Sequence, residues 1–198
     1  MENKRLEKLV RILRVLVIIT FICNIIALFA VPMLVVFSPK ETIEAGVEGL
    51  RIFFGLAEAP DHDIMNFHFL FVFFLSWLAV WETAYHAVLT MFLWVCGICT
   101  AIILWQAKDV LDIMLRGSPF VTENALHLKK AALCCFVISF ASFCRTVWGF
   151  FYYESLSPLL TYNFLFCPIF LMGGLLFLVM SALFRQAAEM KAENDLTI

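Results

Sequence analysis

Long apolar runs separated by short charged segments dominate this chain. Positions 15–39 carry no charged residue for 25 residues, and further apolar stretches cover 84–107, 131–153 and 159–184. A hydrocarbon core about 30 Å thick is crossed by about 20 helical residues. The pattern therefore predicts an all-α integral membrane protein with four transmembrane helices, over 15–37, 84–107, 131–153 and 159–184.

A fifth apolar run, 64–81, is 18 residues long, but only Glu82 and Thr83 separate it from the second span, without a Gly, Pro or Asn turn signal. It reads as an extra apolar outer-face segment, lying in the interface or packed over the bundle. Trp77, Trp81 and Tyr85 suit the depth at which amphipathic rings settle. The alternative is a second span that starts earlier and is long and tilted. Ahead of the third span, Gly117-Ser118-Pro119 breaks the chain, Thr122 is expected to cap the helix, and Glu123 meets its positive end. Ser157-Pro158 is expected to open the fourth span, with Pro168 kinking it further on.

Charge sets the orientation. The N-terminal segment 1–14 holds Lys4, Arg5, Lys8, Arg11 and Arg14. The 108–130 loop holds Lys108, Arg116, Lys129 and Lys130, and the 185–198 tail holds Arg185 and Lys191. These three segments carry 11 of the 14 basic residues. The 38–63 part of the 38–83 outer loop instead sets Lys40 and Arg51 against Glu41, Glu44, Glu48, Glu58, Asp61 and Asp63. The positive-inside rule then puts both termini and the 108–130 loop in the cytoplasm. The uncharged first run is too long for a signal-peptide core and reads as a retained span.

Composition agrees with this class. Hydrophobic residues make up 63% of the 198 residues, charged residues 15%, and the mean hydropathy is +0.94. A soluble domain is about half apolar and about a quarter charged. A net charge of −2 gives no basic field for direct nucleic-acid binding. None of the seven cysteines falls in the long outer loop, so no secreted disulfide framework is expected.

Several residues could carry chemistry. Cys96 and Cys99 form a CxxC in the middle of the second span, where a thiolate is poorly solvated and a protein substrate has no access; cysteine also packs well as a small apolar residue. Arg145, inside the third span, is expensive in hydrocarbon and needs a partner or a cavity. Its candidate partners are Glu82, Glu154 and carbonyls freed by Pro168. Arg145, Glu82, His86 and Asn163 make a candidate intramembrane polar site, open to an anionic or amphiphilic ligand. Asn24 and Asn163 otherwise read as interhelical hydrogen bonds. Ala131, Cys135, Ser139, Ser142, Thr146 and Gly149 recur at steps of three and four, giving one small-residue face for close packing within the bundle or between protomers of a homo-oligomer. No nucleotide loop, nucleophile elbow, zinc-protease motif or haem motif occurs, so a non-enzymatic protein without metal or cofactor is expected.

Two stretches are more distinctive: Leu111-Asp-Ile-Met-Leu-Arg-Gly-Ser-Pro-Phe120-Val-Thr122 with Ala125-Leu-His-Leu-Lys-Lys130, and the ending Glu193-Asn-Asp-Leu-Thr-Ile198. Over about 100 residues from the second span onward the chain resembles a bacterial integral membrane family known as domain of unknown function 2975. The resemblance implies four spans, a phenylalanine-bearing loop after an extension of helix two, a Lys-rich start to helix three, and location in the bacterial cytoplasmic membrane. It also implies a small helix-turn-helix transcriptional regulator as a partner. The leading expectation is thus a membrane partner or sensor whose cytoplasmic face includes Phe120, Lys129, Lys130, Asn194 and Asp195. Binding or transport of a small molecule or lipid through an outer-facing polar cavity is the second expectation, and a membrane thiol oxidoreductase the third.

Overall fold

The computed structural model describes residues 2–36, 64–117, 120–155 and 162–196. Among these the structure is all-helical: α1 (Glu2–Val36), α2 (Ile64–Ala79), α3 (Ala84–Leu115), α4 (Thr122–Tyr153) and α5 (Tyr162–Leu196). Four helices, α1, α3, α4 and α5, are long and apolar enough to cross a membrane. The protein is therefore a multi-pass α-helical membrane protein. Helices suit this setting because each backbone N–H and C=O is satisfied inside its own segment.

The long helices outrun the predicted spans. At about 1.5 Å per residue, 32 to 35 residues reach roughly 50 Å, well beyond the ~30 Å hydrocarbon core. The expected loop 108–130 is consequently mostly helix: α3 runs to Leu115, α4 begins at Thr122, and the turn between them is short. Gly117 takes φ 81 there and its N–H donates to the Met114 carbonyl at 3.1 Å, a left-handed stop that glycine adopts without a Cβ penalty. The tail after 184 likewise continues as helix to Leu196. Thr122 is the first helical residue rather than the cap; Val121 holds the N-cap position in extended conformation, without a side-chain bond. The Ser157-Pro158 start and the acidic loop lie outside the described residues. Pro168 lies inside α5, which continues on both sides of it.

The chain divides into two compact units, Met1–Ile26 with Val95–Ile198, and Ala27–Trp94. The second unit resolves the 64–81 segment. It is a separate 16-residue helix, α2, rather than an early start of α3. Roughly 24 Å of helix is too short to cross the core. The break uses Thr83, whose Oγ1 accepts from the His86 N–H at 3.3 Å, while the Glu82 N–H turns back to the Ala79 carbonyl at 3.2 Å. A threonine three residues before the N–H it caps is the turn signal here, in place of Gly, Pro or Asn. Trp77 and Trp94 pack at 5.4 Å, and the Trp94 Nε1 donates to the Leu28 carbonyl at 3.3 Å, tying α2 to α3 and α3 to α1. Phe71, Phe74, Leu78 and Trp81 remain exposed.

In the first unit the contacts fix an antiparallel register. Arg14 meets Asp112 and Phe21 meets Trp105, so seven residues forward on α1 match seven back on α3. Likewise Ser181 on α5 bonds the Ala125 carbonyl of α4 at 2.6 Å, and Ser139 on α4 bonds the Cys167 carbonyl of α5 at 2.8 Å. The small-residue face of α4 lies inside this unit: Ala131, Cys135, Ser139, Ser142, Thr146 and Gly149 are all buried. It is intramolecular packing. Thr20, Thr100 and Thr146 return their hydroxyls to the carbonyls four residues back, which satisfies them without water. Asn24 departs from expectation, because its buried Oδ1 has no hydrogen-bond partner among the described residues.

Gly174 on α5 sits against the Phe136 ring of α4. A Cβ there would lie 2.7 Å from Phe136 Cε1, whereas one at Gly173 would meet nothing within 4 Å. Gly174→Leu should therefore lower the thermal midpoint in detergent by an amount matching ~1–3 kcal/mol of overpacking. Gly173→Ala should leave the midpoint unchanged or raise it through helix propensity. Parallel melts of the two variants check both outcomes.

Candidate functional site

The first unit gathers its charged and polar side chains where the N-terminal half of α1, the turn after α3 and the distal part of α5 come together. Three features meet at this turn end: a charge cluster, a buried polar pair beside a cavity, and an aromatic contact.

The charge cluster is carried by α1 and α3. Arg14 Nε lies 2.6 Å from Asp112 Oδ1, and Lys108 Nζ lies 3.6 Å from Asp112 Oδ2 and 3.2 Å from Asp109 Oδ1. The Arg14 approach lacks hydrogen-bond geometry, so this contact is an ion pair held by charge rather than by an aligned N–H. Lys108 also sits 4.6 Å from the centroid of the Trp105 ring, a cation–π distance. Helix periodicity explains the cluster: Lys108 and Asp112 are four apart on one face of α3.

One turn deeper, Gln106 and His127 pair across α3 and α4. His127 Nδ1 is 2.6 Å from Gln106 Oε1, which fits an Nδ1–H donor. His127 Nε2 then faces Glu123 Oε1 on its own helix at 3.9 Å. Gln106 is buried and His127 half-buried. Beside them lies a cavity of about 280 Å³ whose wall draws on all four long helices, including Val17, Ile103, Leu111, Leu128, Ala131 and Phe177. The atoms facing the space are almost all carbon, since the polar atoms of Gln106 and His127 are spent on each other.

The aromatic contact joins the turn to α5. Phe120 packs on Phe184 with ring centroids 6.1 Å apart, yet stays 50% exposed. The next residue, Arg185, pairs with Glu189 at 2.9 Å. Lys129, Lys130 and Asn194 are exposed, and the side chain of Asp195 lies outside the described residues. The structure thus brings Phe120 of the loop onto the helix that carries the tail.

The candidate intramembrane site is distributed differently. Arg145 is half-buried on α4, within electrostatic range of Cys96 on α3. Glu82 and His86 belong to the other unit, at the start of α3. Asn163 lies at the start of α5, its side chain outside the described residues. Arg145 lines neither the 280 Å³ cavity nor a smaller neighbouring one at Val17, Phe21 and Trp105. The central cysteines lie near one another: Cys99 is within electrostatic range of Cys134 and Cys135, and Cys96 sits one turn away on α3. Among the described residues no group of three or more His, Cys, Asp or Glu is placed to hold a metal ion.

The Arg14–Asp112 pair and the Gln106–His127 pair were not singled out from the sequence. The signal available was Gln106, the one side-chain amide within 84–107, and Glu123 four residues before His127. Removing one partner of a buried polar pair exposes the other to its full desolvation cost of ~1–3 kcal/mol. His127→Leu should therefore destabilise the protein in thermal melts more than His127→Leu combined with Gln106→Leu. Asp112→Asn should lower the midpoint by only about 1 kcal/mol, because Arg14 is 40% exposed, and the loss should shrink as salt rises.

Known proteins bear on this picture in one respect. A family model described as "Protein of unknown function (DUF2975)" matches residues 56–198. No curated protein and no solved structure matches the chain. The matched stretch covers α2 to α5, including the turn at Gly117, Phe120, the start of α4 and the distal end of α5. Together with the four helices able to cross a membrane, this match means that the chain belongs to the DUF2975 family.

Proposed function

We propose that this protein is a non-enzymatic membrane partner for a cytoplasmic protein, engaged through the turn end of the first unit. The observation that carries this reading is the half-exposed Phe120 held against Phe184. A large ring left in water beside charged residues is costly unless something covers it, and aromatic side chains are the usual anchors of protein interfaces. Lys129 and Lys130 stand exposed at the start of α4 and supply a charged rim. The helices extend past the hydrocarbon core here, so a partner in water can reach the face without entering lipid. The basic segments put this end, and both termini, in the cytoplasm by the positive-inside rule. The resemblance of the loop and ending implies a small helix-turn-helix regulator as the partner.

A second reading, binding of a small apolar molecule, is favoured by the carbon-walled cavity of about 280 Å³. Pockets for small ligands start at roughly 300 Å³ and are mostly apolar. This cavity lies at the same end as the proposed face, so the two readings are compatible.

The test is capture of a small helix-turn-helix regulator from the same organism by the full-length protein in detergent. Phe120→Ala with Lys129→Glu and Lys130→Glu should weaken capture about tenfold or more, the equivalent of ~1.4 kcal/mol. Melting of the triple variant at the wild-type temperature would show that the loss is local. Equal capture by wild type and variant ends the reading.

A further inference from the structure

Helix α2 has two stripes of identical spacing on opposite sides. Phe73, Ser76, Trp77 and Val80 form one: Ser76 and Val80 are buried, Phe73 and Trp77 half-buried. Phe71, Phe74, Leu75 and Leu78 form the other, set two residues back and so about 200° around the helix. All four are exposed, Phe74 at 66% and Leu78 at 73%. No charged residue occurs from 64 to 81, and Ser76, the one hydroxyl from 69 to 81, donates to the Phe73 carbonyl at 2.6 Å. A helix lying in the plane of the interface keeps a charged or polar face toward water, and residues 69–81 supply no such face.

The inward stripe fixes the depth. Trp77 packs on Trp94 at 5.4 Å, and Trp94 lies in the run 84–107, which holds no Asp, Glu, Lys or Arg. The Trp94 Nε1 donates in turn to the Leu28 carbonyl at 3.3 Å, inside the uncharged run 15–39. Pro32 explains why that carbonyl is open to a side-chain donor, since the residue four positions on has no N–H to give. Phe74 and Leu78 lie within one turn of Trp77 along α2, so the exposed stripe stands level with the apolar runs of α1 and α3. In the same unit Phe29 and Leu34 on α1 and Met91 on α3 are exposed on helices able to cross a membrane.

We infer that Phe71, Phe74, Leu75 and Leu78 form a lipid-contact surface covered by the acyl chains of the bilayer, which makes α2 a membrane-embedded helix that does not cross. Acyl chains fit the stripe because it offers nothing to hydrogen-bond and the α2 backbone is satisfied within its own helix. A second copy of the chain fits it poorly. Helices that pair in a membrane approach through Gly, Ala, Ser or Thr, and the stripe holds only Phe and Leu. The embedded run ends at Trp81 and Glu82, both exposed, where an indole and then a charge suit the headgroup level. The inference stands independently of the partner reading above.

The experiment places the full wild-type chain in vesicles of phosphatidylethanolamine and phosphatidylglycerol that contain a phospholipid with a diazirine midway along one acyl chain. Irradiation yields a carbene that inserts into whatever it touches, and fragment-ion sequencing of the digested protein locates the adducts. The expected result is adducts at Phe71, Phe74, Leu75 and Leu78, as at Met91 of α3, and none at Phe73, Ser76, Trp77 or Val80. A water-soluble diazirine used in parallel should label Glu82 and leave the four outward positions unlabelled. Labelling of those four by the soluble reagent means that they face water and overturns the inference. Labelling by neither reagent means that protein covers the stripe, a second copy included, and overturns it as well. Only the wild-type chain is used, so the outcome does not hang on a variant that folds.

Discussion

The first unit depends on close approach between helices where no hydrophobic force pulls them together. Lipid tails are as apolar as leucine, so burying a leucine against another helix gains little over leaving it in lipid. What remains is dispersion between closely packed atoms, and a few interhelical hydrogen bonds. The buried stripe of α4, with Ala131, Cys135, Ser139, Ser142, Thr146 and Gly149, supplies both. Small side chains let neighbouring backbones come near, and Ser139 spends its hydroxyl on the Cys167 carbonyl of α5. Helix α4 accordingly has 39% of its apolar window buried, against 6–11% for the other three spanning helices. It is the helix on which its neighbours pack.

The same scarcity of water sorts the polar side chains by depth. Within the apolar runs, the hydroxyls of Thr20, Thr100 and Thr146 turn back to their own helix, while the buried Thr90 hydroxyl has no hydrogen-bond partner among the described residues. Charges that need solvation or a counter-charge collect at the turn end, where Arg14, Lys108, Asp109 and Asp112 satisfy one another at the edge of the apolar region. Gln106 and His127 occupy the intermediate depth and resolve the conflict by pairing with each other. Because their polar atoms are spent in this way, the adjoining cavity is left with a carbon wall.

This distribution separates scaffold from surface. Phe140, Leu176 and Ile19 are exposed on helices long and apolar enough to cross a membrane, a setting in which an apolar side chain facing outward costs little. Phe120 is different, because it lies in the turn beyond the apolar runs and half of it faces solvent despite its contact with Phe184. The family match extends across this turn and on through α5, so Phe120, Phe184 and the Gln106–His127 pair lie in the matched portion of the chain, whereas Arg14 lies outside it.

Membership of the membrane class and the four crossing helices were legible from the sequence alone, because a span is a local property: twenty apolar residues announce themselves without reference to anything distant. The small-residue face of α4 was legible for a similar reason, since helical periodicity is also local. The helical character of 108–115 and 122–130 was hidden because charged residues read as loop, whereas a helix can continue into water once it is nucleated in lipid. The separation of α2 from α3 turned on a single Thr83 hydroxyl, a signal too small to outweigh continuous hydrophobicity. Only the tertiary structure could decide who faces whom. Arg14 with Asp112 and Gln106 with His127 are pairings across helices, set by an antiparallel register that no single helix encodes. Register arises where the side chains of two helices interlock, so it exists only once both are in place.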